Sequence, residues 1–218
     1  MEGCDKPRII SLMLKEGTKR DAPVLRVRGE INSNPFKALV FTMLSARTRD
    51  LITLEATKRL FKIASTPGQI GKMDLRKLEK IIYGVGFYRA KARNLRALCK
   101  KLISEYRGKV PANLEGLTSL PGVGRKTANV MLGQIFEKDA IAVDVHVHRI
   151  SNRLGWVKTK KPEETEIALM GSVPKKLWRR CNLSMVSFGQ TLCFPRNPKC
   201  LECPLRKCCK RVGLPKIK

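Results

Sequence analysis

In the stretch LPGVGRKTANVML, Leu120 to Leu132, a proline and two glycines lead directly into Arg125 and Lys126 and then into a helical pattern. A side-chain amine can attack a carbon and remain attached as a Schiff base, provided it is unprotonated. Among so many basic residues the alternative for Lys126 is a solvated charge or a phosphate contact, and composition does not nominate it as catalytic. Its position does, since the first turn of a helix disfavours the ammonium form, where the positive end of the helix dipole and the adjacent Arg125 both oppose a further positive charge. The partner such an amine needs is a carboxylate, and AIAVDVHVHR supplies Asp144. A helix over residues 125–137 carries the chain about 18 Å from Lys126. An extended return from 137 to 144 spans roughly 23 Å, enough to bring Asp144 back beside the lysine. Asp144 also stands where it can cap the helix that follows, and a cap would fix the direction of its carboxylate.

The same stretch offers an anion site. Gly122 and Gly124 allow positive φ and let another backbone come close. Free amides at the start of the following helix then point outward with the positive end of its dipole, an arrangement suited to phosphate. The alternative is an ordinary turn between two helices, since short glycine patterns are weak evidence by themselves.

The second constellation is sulfur. CFPRNPKCLECPLRKCC holds Cys193, Cys200 and Cys203, then the adjacent pair Cys208 and Cys209. The N-terminal stretch MEGCDKPRIISLMLKEG has early acids and a short, interrupted apolar run, which makes a poor secretory signal and implies a reducing, intracellular setting. Cysteines there point to metal rather than disulfides, and the spacing leaves zinc and an iron–sulfur cluster both open. Cys4, Cys99 and Cys181 read as unliganded. His146 and His148 are the only histidines. They give no ligand set, and His146 is expected to hydrogen-bond near Asp144. The short FPRNPK loop between the first two tail cysteines displays Arg196 and Lys199.

The elements that must position these groups are helices. SNPFKALVFTMLSA opens at a capping Ser33 or Asn34 with Pro35 in the first turn, and is apolar nearly all round, so it should be buried. DLITLEATKRLFKIA is expected to start at a capping Asp50. DLRKLEKII sets Leu75, Leu78, Ile81 and Ile82 on one face. From Tyr88, Ala92, Leu95, Cys99, Leu102 and Tyr106 recur at three- and four-residue steps. Further helices are expected near Val145 to Leu154, Pro162 to Val173 and Lys175 to Phe188. Only AIAV hints at a strand, so the fold class is all-α.

Lys and Arg total 45 against 18 acids, a formal net charge of +27 over 218 residues. Such a surplus points to nucleic acid as partner. A basic membrane-surface protein would need an amphipathic anchor or a long apolar span, and neither is present in the sequence.

LPGVGRKTANVML followed by IAVDVHVHRISNRLGW resembles the endonuclease III family of helix-hairpin-helix DNA glycosylases, and the resemblance runs from NPFKALVFTMLSA through the cysteine tail. It implies a two-lobed fold: a six-helix barrel lobe over 32–138 with the hairpin motif near 113–136, and a discontinuous lobe from 1–31 and 139–218 with a [4Fe-4S] cluster at 193–209. DNA would lie in the cleft between the lobes.

The resemblance also implies base excision repair with two chemistries, glycosylase (hydrolase) and abasic-site lyase. Oxidised pyrimidines such as thymine glycol would be removed from double-stranded DNA, and the abasic site cleaved by β-elimination. Lys126 would be the nucleophile at the sugar carbon, Asp144 its assistant, and the hairpin residues Gly122, Gly124 and Arg125 the hold on the DNA backbone. The family pattern C-x6-C-x2-C-x5-C is met by Cys193, Cys200, Cys203 and Cys209, which leaves Cys208 a neighbour rather than a ligand. Arg196 and Lys199 would meet phosphates.

The damaged nucleotide must be flipped out of the stack. In MLSARTRD, Arg47 stands where the family more often has glutamine filling the vacated space. In GVGFYRAKA, Phe87 stands where the family has an apolar wedge, or else packs in the core. A monomer is expected, placed with the DNA in cytoplasm or nucleoid of a prokaryote or the nucleus of a eukaryote. The competing readings are a single-function mismatch glycosylase, whose relatives usually lack a lysine at position 126, and a non-catalytic DNA-binding protein.

Overall fold

The structure is a computed structural model that describes residues 4–26 and 34–215. The chain divides into two compact units, one made of Met1–Arg26 and Glu137–Lys218, the other of Val27–Phe136. Among the described residues every regular element is helical, so the fold class is all-α. The expected lobe boundary at 31–32 and the alternative cap Ser33 lie outside the described residues.

The 27–136 unit is organised around α1, Pro35–Ser45. Asn34 caps it, its Oδ1 accepting from the backbone N–H of Phe36 at 2.9 Å and of Lys37 at 3.1 Å. Phe36, Ala38, Leu39, Val40, Phe41, Met43 and Leu44 are all buried, as its all-round apolar pattern requires. Helix α2, Asp50–Ile63, packs on it. Asp50 is the first helical residue of α2, not its cap: Arg49 holds the cap position and no side chain bonds there. Two short helices follow, α3 (Pro67–Lys72) with a Thr66–Gln69 capping box and α4 (Leu75–Ile81) capped by Asp74. Both pack against α5, Tyr88–Tyr106, whose Ala92, Leu95, Leu98, Cys99 and Leu102 are buried. The hairpin pair α6 (Leu114–Thr118) and α7 (Arg125–Gln134) closes the unit, with α7 resting on α1.

In the other unit, α8 (Lys6–Lys19) lies along α11 (Trp178–Thr191), so closely that a Cβ at Gly17 would overlap Ser187. Between them in sequence come α9 (Val145–Leu154), α10 (Pro162–Ser172) and a 3-10 turn at Lys175–Leu177. The core gathers Ile9, Ile10, Met13, Ile141, Val143, Val147, Ile150, Cys181, Met185 and Phe188. The AIAV stretch is buried and non-helical, and it forms no strand. Instead of a sheet partner, the Asn182 side chain donates to the Ala142 carbonyl at 2.8 Å. No described helix is long and apolar enough to cross a membrane.

Candidate active site

The hairpin turn is set by one glycine rather than two. Asn113 caps α6 by accepting from the Gly116 amide at 2.6 Å, and the Val123 amide returns to the Leu120 carbonyl at 3.0 Å. Gly122 has φ 80°, and a Cβ there would press on Asn94 of α5 at 2.9 Å. Gly124 has φ −88°, an ordinary backbone for any residue, so the expectation that both glycines serve positive φ is corrected. Nor do neighbouring groups require glycine at this position: a Cβ on Gly124 would meet nothing within 4 Å. Gly124 is also the N-cap of α7 and makes no side-chain cap hydrogen bond, and the positive end of the helix dipole lies there. Arg125 and Lys126 are exposed in that first turn, while Thr127, Ala128, Met131 and Leu132 bury the opposite face. The Lys126 side-chain amine has no hydrogen bond or ion pair among the described residues.

Asp144 belongs to the other unit and is a cap in fact. Its Oδ1 accepts from the amides of His146 at 2.9 Å and Val147 at 3.0 Å. Both bonds go to the same oxygen, so Oδ2 takes none among the described residues and is held in a fixed direction. His146 does hydrogen-bond nearby, its Nδ1 lying 3.1 Å from the Arg149 guanidinium. His148 pairs instead with the Thr165 hydroxyl at 2.7 Å.

Arg47 and Phe87 come together on the surface of the 27–136 unit. The Arg47 guanidinium lies over the Phe87 ring, 5.7 Å from its centre. Phe87 is 64% exposed, so the core-packing alternative does not hold. Both residues have left-handed backbones, φ 54° and 58°, which are costly for residues with a Cβ and gather where the surrounding structure enforces them.

Cys193, Cys200, Cys203 and Cys209 line one cavity with Arg153, Leu192, Pro198 and Leu205. All four are free thiols. Burial, and then the neighbouring thiols, push Cys203 up to about 11 and raise Cys209 as well. Cys208 is joined to Cys4 by a disulfide, which corrects the expectation that the cysteines point to metal rather than disulfides. Cys99 and Cys181 are buried thiols, raised by burial to about 12. The FPRNPK loop is tied down from α9. Arg153 donates to the Phe194 carbonyl at 2.6 Å and the Pro195 carbonyl at 2.8 Å, and Arg149 to the Cys193 carbonyl at 2.8 Å. Arg196 and Lys199 are exposed on it, Lys199 lying 4.0 Å from Glu202.

The family profile of HhH-GPD superfamily base excision DNA repair proteins matches residues 40–175. Endonuclease III of Thermotoga maritima is 49% identical over 183 residues, covering 84% of this chain and 86% of its own. The chain belongs to the endonuclease III family. A solved non-covalent endonuclease III–DNA complex superimposes with a TM-score of 0.83 at 38% identity, covering 93% of this chain and 92% of that one. A trapped endonuclease III–DNA covalent intermediate, in an estranged-adenine complex, gives 0.78 at 42% identity, covering 82% and 84%. The activity that goes with endonuclease III membership is DNA base excision with cleavage at the abasic site.

Three features of this endonuclease III family member were not expected from the sequence. Lys91 is 8% exposed and sits on the buried face of α5, where it donates to three oxygens of the Leu44–Thr48 turn. Its signal was present: Lys91 lies four residues before Leu95 and seven before Leu98, in the apolar register of the helix. Arg153 is likewise in register with Ile150 and is 9% exposed. The Cys4–Cys208 bond spans 204 positions and leaves no local pattern.

Proposed function

We propose that Lys126 is the Schiff-base nucleophile and Asp144 its proton acceptor in an endonuclease III acting on double-stranded DNA. The substrates are those of the family, oxidised pyrimidines such as thymine glycol and the abasic sites they leave. The observation that carries the assignment is Lys126 itself, an exposed, unpartnered amine in the first turn of α7 beside the open space over Gly124.

The chemistry follows from those groups. The Lys126 nitrogen forms a bond to the sugar C1′ as the bond to the base breaks, and the base leaves with the electron pair. Asp144, with Oδ1 occupied by its cap, accepts the amine proton through Oδ2 and offsets positive charge developing on the sugar. Ring opening gives the imine. Loss of a C2′ proton then expels the 3′ phosphate, and water releases the lysine. The hairpin residues Gly122, Gly124 and Arg125 at the start of α7 hold the DNA backbone, and Arg196 and Lys199 meet further phosphates from their anchored loop. Arg47 and Phe87 probe the duplex at the flipped nucleotide.

The four free thiols fit a [4Fe-4S] cluster. They line a single cavity, and the disulfide has removed the fifth tail cysteine from competition. The Arg153 guanidinium, 3.3 Å from Cys193 Sγ, supplies positive charge to an anionic group. Among the described residues no three potential ligands gather closely enough for a single metal ion, a spacing that a polynuclear cluster does not need. Base excision is redox-neutral, so the cluster's contribution when bound is to tie the tail and its basic loop.

Borohydride trapping tests the assignment. A duplex carrying thymine glycol, incubated with the protein and reduced, gives a covalent adduct on a denaturing gel, and Lys126→Gln abolishes it while retaining DNA binding. Normal trapping by Lys126→Gln would show that another group is the nucleophile. No adduct with the unaltered protein, on this duplex or an abasic one, would indicate a single-function glycosylase.

A further inference from the structure

Two loops carry Arg47 and Phe87, and one buried amine ties them together. Lys91 Nζ donates to the carbonyls of Leu44 at 2.7 Å and Ala46 at 2.5 Å, and to the Thr48 hydroxyl at 3.1 Å. The two carbonyls lie at the C-terminus of α1, where the last acceptors have no partner within the helix. Thr48 Oγ1 also accepts from the Gly86 amide at 3.0 Å, so a single hydroxyl joins the turn after α1 to the loop before α5. Gly86 admits no side chain, since its Cβ would stand 2.6 Å from the Arg47 carbonyl oxygen. Lys91, Thr48 and Gly86 thus enclose the bases of both side chains. The outcome is two neighbouring left-handed residues whose side chains are stacked in solvent.

A helix end needs a cap, but capping does not require a buried ammonium. Placing one at 8% exposure costs desolvation, and a plain αL cap by glycine or asparagine would satisfy the same carbonyls. The arrangement gains something a simple cap lacks: its three bonds radiate to residues on both sides of Arg47 from a helix that begins immediately after Phe87. Movement of either loop breaks bonds to the other.

We propose that Lys91 is a positioning residue for the strand-probing pair, locking Arg47 and Phe87 into one pre-stacked unit and so setting how firmly the flipped state and the opposite base are held. The proposal rests on the reading that Arg47 and Phe87 probe DNA. Pre-organisation of this kind lowers the ordering cost of engaging the duplex rather than adding a contact to it.

The test is a coupling measurement on the whole protein with a thymine glycol duplex carrying 2-aminopurine beside the lesion, whose fluorescence rises on unstacking. Lys91→Met keeps the aliphatic stem and removes the three donors. It should reduce the fluorescence gain at saturating protein at least about fivefold, as should Arg47→Ala combined with Phe87→Ala. Combined with that pair, Lys91→Met should have no further effect, because it acts through them. Thr48→Val, which deletes only the shared hydroxyl, should reproduce part of the loss and serves if Lys91→Met does not fold. A full signal from Lys91→Met or Thr48→Val, where the Arg47/Phe87 pair variant has lost it, overturns the lock. So does a loss that multiplies in the combined variant. If the Arg47/Phe87 variant keeps its signal, the probing role of those two side chains is wrong and the lock falls with it.

Discussion

The guanidinium of Arg47 rests on the ring of Phe87, 5.7 Å from its centre, with both backbones left-handed. Neither side chain is buried by the protein, which leaves the pair open to the duplex in the probing role proposed above. Arg donates only, and its fork matches the two acceptors of guanine O6 and N7 better than the donor and acceptor of adenine. The unaltered protein should therefore excise thymine glycol faster opposite guanine than opposite adenine, and Arg47→Gln should narrow that ratio. Phe87→Ala should lower kcat/KM on both duplexes by the value of one aromatic–base stack, about 1–3 kcal/mol or roughly 5- to 150-fold. Single-turnover kinetics on the two duplexes measure both effects. Equal rates opposite both bases, before and after Arg47→Gln, would remove Arg47 from recognition.

Asp144 combines two duties that substitution can separate. Asn keeps an Oδ1 for the His146 and Val147 amides but loses the charge and the basic Oδ2. Asp144→Asn should leave thermal stability nearly unchanged and slow base release by about 100-fold or more. Asp144→Ala should lose about 1 kcal/mol of stability as well, the usual worth of an N-cap. Unfolding midpoints read beside excision rates decide it. A slow Asp144→Asn enzyme that has also lost the full cap energy would mean that the carboxylate's role is structural.

How far the sequence could be read follows from where each constraint acts. Local signals were legible: Asn34 with Pro35, the apolar register of Tyr88–Tyr106, and Asp144 before Val145–Leu154 all depend on neighbours within a turn. Asp50 misled because an acidic residue suits both the cap and the first turn, and only backbone geometry separates them. AIAV misled because burial on all sides gives an apolar run whether or not a strand pairs with it. The roles of Lys91 and Thr48 were invisible, since their partners stand more than thirty residues away and nothing in YRAKARNL says which carbonyls an inward lysine will meet. The same distance hides the Cys4–Cys208 pairing.

That disulfide anchors Cys4, the residue before the Asp5 cap of α8, to the neighbour of Cys209, a cluster-ligand candidate. A cross-link closing so long a loop restricts the unfolded chain strongly, and its removal should cost about 2–5 kcal/mol. Cys4→Ser combined with Cys208→Ser should lower the urea midpoint accordingly and keep the iron content of the unaltered protein. Cys203→Ser should instead abolish bound iron, and Cys99→Ser should leave it alone. If the Cys4/Cys208 variant lost its iron, Cys208 would belong among the ligands and the disulfide would not describe the working protein.

Lys91 gives stability a pH dependence whose sign is fixed by its burial. Desolvation pulls its ammonium from the ordinary lysine range to about 8 in the folded protein. The unfolded chain keeps the ordinary value, so between about pH 8 and 10.4 the unfolded state binds the extra proton. Stability attributable to this group therefore rises with pH across that window, by roughly 1–3 kcal/mol, and is flat below it, where both states are protonated. The three oxygen acceptors oppose the desolvation and act to narrow the window from its lower end. Other lysines contribute their own background, so the measurement is a difference: unfolding free energies of the unaltered protein and Lys91→Met from pH 7 to 10.5. The gap between them should shift in favour of the unaltered protein as the pH passes 8. A gap that stays constant would mean that the folded and unfolded chains hold the proton equally well, and one that moves the other way would mean that the bonds to the Leu44–Thr48 turn outweigh burial and hold the ammonium above the ordinary lysine range; either removes the window.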